Sequence, residues 1–119
     1  MAFCFLLVLL MKENKEIENR GQKRGMTVTE IIYLDIDGTL RDEWYGIPDS
    51  AKEAVQKCMD EGIFIVICTG RNPGSIQDDV KRLRTDGVIS GGGCFIEFGG
   101  EMLKREYFPM RILGEFLEV

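Results

Sequence analysis

Histidine is absent from this chain of 119 residues. Without it there is no Ser-His-Asp or Cys-His nucleophile and no histidine-ligated metal site. Cysteine is sparse: Cys4, Cys58, Cys68 and Cys94, with no C-x-x-C pair. Neither a zinc ribbon nor a redox dithiol is indicated. Cys58 falls on the apolar face of a predicted helix and Cys68 inside a predicted strand, so both read as buried free thiols. Free thiols point to the reducing cytoplasm. Basic charge is not in excess, with 15 Lys and Arg against 20 Asp and Glu and a net charge of −5. Nucleic acid is therefore not the expected partner. No apolar run reaches the ~20 residues that span a bilayer. The longest opens the chain, Met1 to Met11. Its lysines, Lys12 and Lys15, follow it, and no small-residue cleavage site comes after, so it does not read as a secretory signal. No membrane partner is expected; an anchor is the alternative left open.

The length suits one small domain, and an apolar fraction of 45% is ordinary for a globular chain. Residues 12–25 are polar and charged without apolar periodicity, which reads as linker or disorder. The expected organisation is an extension outside the fold over 1–25, a core over 26–93 and a further unit beginning at 94. Ile31 to Ile36 is a nearly continuous apolar run and predicts a strand buried on both faces. Ser50 to Glu53 matches a capping box for a first helix. Its stripe is Ala51, Ala54, Val55, Cys58 and Met59, and Gly62 is its left-handed stop. Ile63 to Cys68 is a second buried strand. Strand–helix–strand predicts a right-handed parallel crossover with both strand tips on one edge. Asn72 and Pro73 then open a second helix that buries Ile76, Val80 and Leu83. Asp86 to Ser90 is a short third strand, broken by Gly91-Gly92-Gly93. Residues 94–107 form a hairpin about Gly99-Gly100, and residues 109–119 open another helix.

Chemistry gathers at the two strand tips. Asp35 and Asp37 end the first strand at i, i+2, and Gly38 lets the chain turn away. Ligands of open α/β sheets bind outside such carboxyl ends. Two carboxylates this close repel, so one pKa rises or a cation neutralises the pair. A hard cation such as Mg²⁺ takes oxygen ligands. One acid can attack phosphorus, and the other can move protons. Thr69-Gly70-Arg71 ends the second strand before a helix N-terminus, a place that favours an anion. The Thr69 hydroxyl and Gly70 N–H can hold phosphate oxygens. For Arg71 three roles are open: touching substrate, orienting the loop, or pairing with an acid. For Trp44 and Tyr45, in the loop after the first strand, two are open: a flap over the acids, or packing on the sheet.

Asp35-Ile36-Asp37-Gly38-Thr39-Leu40 resembles the first motif of the haloacid dehalogenase (HAD) superfamily of Mg²⁺-dependent phosphohydrolases. Val66-Ile67-Cys68-Thr69-Gly70-Arg71 resembles the second, in the form of the Cof-like, type IIB branch. The resemblance implies an α/β fold: the first half of a Rossmann-like parallel sheet, then the start of an α+β cap over 94–119. It implies Asp35 as nucleophile and Asp37 as general acid/base. It also implies Mg²⁺ on the Asp35 carboxylate and the Asp37 carbonyl, with Thr39 fixing the loop. The substrate would be a small phosphorylated metabolite. An Asn-Gly pair usual near residues 91–93 in the branch is missing. The family's later lysine and distal acids are not found by Val119. The chain thus reads as a fragment, a truncated frame or one piece of a split enzyme. The alternatives are an inactive binding or regulatory protein and, with less support, a receiver-type phospho-acceptor. A receiver would carry its acceptor at the end of the third strand, where no lone Asp stands. With later strands missing, Ile31 to Ile36 is expected at an open edge that self-associates or takes a companion chain.

Overall fold

The computed structural model describes residues 9–15 and 27–117. Among these, six strands form one sheet in chain order: β1 (Leu9–Lys15), β2 (Thr27–Leu34), β3 (Phe64–Cys68), β4 (Gly87–Ser90), β5 (Phe95–Phe98) and β6 (Glu101–Arg105). β2, β3 and β4 run parallel, and β1, β5 and β6 each run antiparallel to the preceding or following neighbour. The helices are α1 (Asp49–Asp60), α2 (Asp78–Arg82) and α3 (Met110–Leu117). The expected α/β class and parallel crossovers are thus present, within a sheet of mixed direction.

Side-chain alternation builds the core. Ile65 and Ile67 point to one face of β3 and are 2% and 0% exposed. They cluster with Val55 of α1, Val80 of α2 and Ile36, Leu40, Ile47 and Ile76 from the connections. On the opposite face Phe64 meets Phe98 of β5, ring centroids 5.5 Å apart. Cys68 shares that second face at the strand's end and is exposed, not buried as its sequence setting suggested. Likewise Ile31 to Leu34 are half-buried; Ile32 and Leu34 pack against the main cluster, and Ile31 and Tyr33 alternate with them.

β1 corrects the reading of 1–25 as lying outside the fold. Seven residue pairs run from Leu9↔Tyr33 to Lys15↔Thr27. They occupy the edge of β2 that the sequence left open, so backbone N–H and C=O groups there find partners. Lys12, Glu13 and Lys15 gave no apolar period. Charge on an edge strand is what natural sheets use to discourage further pairing. The rest of the N-terminal extension, including Cys4, lies outside the described residues, as does Met26.

The connections also differ from expectation in detail. α1 starts after Pro48, and no side chain caps it, so the capping box does not form. Its end is as expected: Gly62, at φ +82°, donates to the Met59 carbonyl, and Ile63 donates to that of Cys58. This is the paired pattern of a left-handed helix stop. Asn72 caps only a 3₁₀ turn, Pro73–Ser75, its side chain accepting from Ser75 N at 2.9 Å. Ile76 and Gln77 are then extended, and α2 starts afresh with five residues. The second strand tip therefore meets a 3₁₀ turn, and the helix-dipole argument for an anion there falls away. The hairpin of β5 and β6 forms about Gly99-Gly100 and pairs with β4, so it continues the same sheet across residue 94.

Gly87 starts β4 where β5 passes close. A Cβ there would lie 2.8 Å from the Glu97 carbonyl oxygen and 2.8 Å from the Phe98 ring. Backbone cannot yield as a flexible side chain can. Gly87→Ala is expected to destabilise the fold by ~1–3 kcal/mol through overpacking. Urea unfolding of the two proteins side by side measures it.

Candidate active site

The parallel order of β2, β3 and β4 brings three strand ends to one edge. Asp35 follows β2 directly. The next residues close a tight turn in which Leu40 and Arg41 donate to the Ile36 carbonyl at 3.1 and 3.0 Å. Ile36 is fully buried and Leu40 4% exposed, so this turn is pinned from beneath. Asp37 and Gly38 face outward. The Thr39 hydroxyl lies 3.5 Å from Asp35 Oδ2, a long contact.

Thr69 and Arg71 come from the end of β3. Thr69 is 6% exposed; its N–H donates to the Ile89 carbonyl at 2.9 Å, and its Oγ1 accepts from Arg71 N at 3.1 Å. Gly70 between them is exposed. The triple glycine packs behind this loop: Gly91 N donates to the Arg71 carbonyl at 2.7 Å, Gly92 N to that of Thr69 at 3.4 Å. Those two N–H groups hold the loop instead of offering themselves to an anion.

Arg71 pairs with an acid. Its Nε and Nη2 donate to the two carboxylate oxygens of Asp37 at 2.7 and 3.0 Å, a bidentate fork. Its Nη1 donates to the Ser75 carbonyl at 3.2 Å. Gln77 Nε2 lies 3.5 Å from Asp37 Oδ1, and Gln77 Oε1 is buried without a partner. The Arg71 hydrogen bonds hold the Asp37 carboxyl below the ordinary 3.8, against a smaller opposing effect of burial. Of the two outcomes expected for crowded acids, a raised pKa or a neutralising cation, Asp37 shows the second, with the Arg71 guanidinium as the cation.

The sequence brought Asp35, Asp37, Thr39, Thr69, Gly70 and Arg71 to attention, and the fold gathers them on one edge. Two further contributors went unnoticed. Asp79 of α2 accepts from Arg41 Nε at 2.9 and 3.2 Å and ties down the loop after Asp37. Gln77, in the extended stretch before α2, reaches Asp37 at 3.5 Å. Neither contact has a sequence signature, since 38 and 40 residues separate the partners.

The donors suit a hard cation in kind. They are oxygens, the Asp35 carboxylate and the Asp37 carbonyl, with the Asp37 carboxylate engaged by Arg71. Mg²⁺ commonly takes one or two protein carboxylates and keeps several waters. Among the described residues no group of three His, Cys, Asp or Glu could enclose a metal.

The Asp37–Arg71 pair makes a testable contribution to stability. A lowered folded-state pKa stabilises fully above the unfolded value of 3.8, and that contribution is lost as pH falls through the folded value. The side chains are 51% and 38% exposed, so solvent screens the pair. Arg71→Ala is expected to lower Tm slightly at pH 7, with the difference closing below pH 3.8. Thermal melts across pH measure this.

Known proteins share this arrangement of elements. Residues 32–119 match the family of haloacid dehalogenase-like hydrolases. YkrA of Bacillus subtilis is 27% identical over 90 residues, 76% of this chain and 35% of its own length. The 5-amino-6-(5-phospho-D-ribitylamino)uracil phosphatase YwtE of the same organism is 30% identical over 74 residues, 62% of this chain and 26% of its own length. Among solved structures, the HAD subclass IIB sugar phosphatase BT4131 superposes with a TM-score of 0.60 at 31% identity, covering 74% of this chain and 36% of that one. The chain thus spans about a third of the length of the relatives it matches. With a match over residues 32–119 and the two acid- and threonine-tipped strands at one sheet edge, the chain belongs to the haloacid dehalogenase-like hydrolases.

Proposed function

We propose that this chain carries the nucleophile-bearing part of a phosphohydrolase acting on a small phosphomonoester. The observation that carries the reading is the meeting of the β2 and β3 ends, where Arg71 grips Asp37 two residues from Asp35. A carboxylate oxygen of Asp35 attacks phosphorus, a P–O bond forms, and the ester P–O bond opposite it breaks. The departing alkoxide takes a proton from Asp37. Asp37 then takes a proton from the water that attacks the aspartyl-phosphate, which frees phosphate and restores Asp35. The Thr69 hydroxyl and Gly70 N–H hold the phosphoryl oxygens. Arg71 fixes the Asp37 carboxylate at rest; when the fork opens, Asp37 takes up a proton from solvent, gives it to the alkoxide and, ionised again, accepts one from the attacking water. Mg²⁺, held by the Asp35 carboxylate and the Asp37 carbonyl, would neutralise charge on the phosphoryl group.

In the same proposal, the cap expected from residue 94 begins at α3, since β5 and β6 belong to the sheet. A cytoplasmic setting accords with the free thiols of Cys58, Cys68 and Cys94. Among the described residues no helix is long and apolar enough to cross a membrane.

One observation favours a second reading, a binding or regulatory protein without turnover: the described residues offer only part of a metal shell. Phosphate release from a panel of phosphomonoesters, with and without Mg²⁺, separates the two. The first reading expects Mg²⁺-dependent release; binding without release supports the second.

A further inference from the structure

We propose that Trp44 and Tyr45 form an aromatic platform at the mouth of this site, and that the site therefore prefers phosphomonoesters whose leaving group presents a flat, uncharged ring. The proposal rests on the phosphoryl-site reading above and adds the chemical class of the other half of the substrate.

Neither ring packs on the sheet: Trp44 is 84% and Tyr45 91% exposed. A single exposed apolar side chain is ordinary. Here two adjacent aromatics are held out by a turn that is itself secured at every point. Asp42 N donates to the Gly46 carbonyl at 2.9 Å, and Gly46 N to that of Asp42 at 3.1 Å. Asp42 Oδ1 accepts from the N–H groups of Trp44 and Tyr45 at 2.8 and 3.0 Å. Arg41 is bound to Asp79, and Leu40 and Ile47, on either side of the turn, are 4% and 5% exposed. The exposure is therefore not fraying. A pre-ordered turn costs a ligand little conformational entropy on binding.

The turn also stands close to the chemistry. Asp37 and Arg41 form a β-bridge. Trp44 lies three residues beyond Arg41, at most ~10 Å away along an extended chain. In this proposal the leaving group of a substrate whose phosphoryl group meets Asp35 extends toward that turn. Asp42 and Glu43 flank the rings and are exposed, so a second anionic group on the leaving side is disfavoured. What remains attractive is an uncharged ring, for which an aromatic contact is worth ~2–10-fold in affinity.

Trp44 is the one tryptophan in the sequence, so its fluorescence reports on the platform without a label. The test titrates the full chain with inorganic phosphate, methylphosphonate and phenylphosphonate in Mg²⁺, by calorimetry and by tryptophan emission. The phosphonates cannot be hydrolysed. All three are expected to bind, phenylphosphonate on the order of 10-fold more tightly than methylphosphonate, and phenylphosphonate alone to change the emission. Trp44→Ala with Tyr45→Ala should bring phenylphosphonate down to the methylphosphonate value and leave methylphosphonate unmoved. Trp44→Phe should keep most of the preference. Equal affinity of the two phosphonates, with phosphate still bound, overturns the platform and leaves the phosphoryl site standing. Failure of all three anions to bind overturns both.

Discussion

Asp35→Asn is expected to abolish phosphoryl transfer, with a loss on the order of 10⁴-fold or more, as when a nucleophile is removed from other covalent catalysts. An amide nitrogen or oxygen cannot replace the carboxylate as attacking group. The substitution is nearly isosteric at the tip of β2, so the turn over residues 36–41 should persist and Tm should hold. Asp37→Asn removes a proton carrier and loosens the Arg71 fork, since an amide offers one acceptor oxygen where the carboxylate offers two. Its cost is expected at ~10²–10⁴-fold. The step that suffers most is hydrolysis of the aspartyl-phosphate, so phosphoenzyme should build up in Asp37→Asn and not in Asp35→Asn. Single-turnover kinetics on the two variants would reveal this contrast.

Deletion of residues 1–25 is expected to destabilise the fold and promote self-association. A reading of that segment as dispensable predicts the reverse, and β1 is what changes the answer. Its seven backbone pairs with β2, at ~0.5–1.5 kcal/mol net per hydrogen bond less the entropy of ordering the strand, suggest a total near ~3 kcal/mol. For a domain of this size ~3 kcal/mol moves Tm by roughly 10–20 °C. Deletion also bares the N–H and C=O groups on the outer edge of β2, beside the half-buried Ile31, Ile32 and Tyr33. An open edge of this kind pairs readily with another chain. Analytical ultracentrifugation and thermal melting of the full and shortened chains check both parts. An unchanged Tm in a monodisperse monomer would show β1 to contribute nothing.

What was legible in the sequence was local. Strands β2, β3 and β4 announce themselves as short apolar runs, and α1 by the spacing of Ala51, Val55, Cys58 and Met59. Gly62 marks a helix stop because the left-handed conformation there suits glycine. Asp35, Asp37, Thr69, Gly70 and Arg71 stand out because they follow apolar runs directly. What stayed hidden depends on partners distant in the chain. β1 carries Lys12, Glu13 and Lys15 and acquires its strand character by pairing with β2. The periodicity of Ile76, Val80 and Leu83 suggests one helix, yet extended backbone at Ile76 and Gln77 divides it. Arg41–Asp79 and Asp37–Gln77 exist only once the crossover has brought α2 beneath the loop. The Ser50 capping box has the right letters, but Pro48 already occupies the cap position.

The central claim is that Asp35 becomes covalently phosphorylated, and intact-protein mass spectrometry tests it most directly. The chain is incubated with Mg²⁺ and a reactive acyl phosphate, quenched in acid, and mapped by peptide fragmentation. The account predicts the added mass of one phosphoryl group on Asp35, more of it in Asp37→Asn, and none in Asp35→Asn. Label on another residue, or the same label in Asp35→Asn, would contradict it.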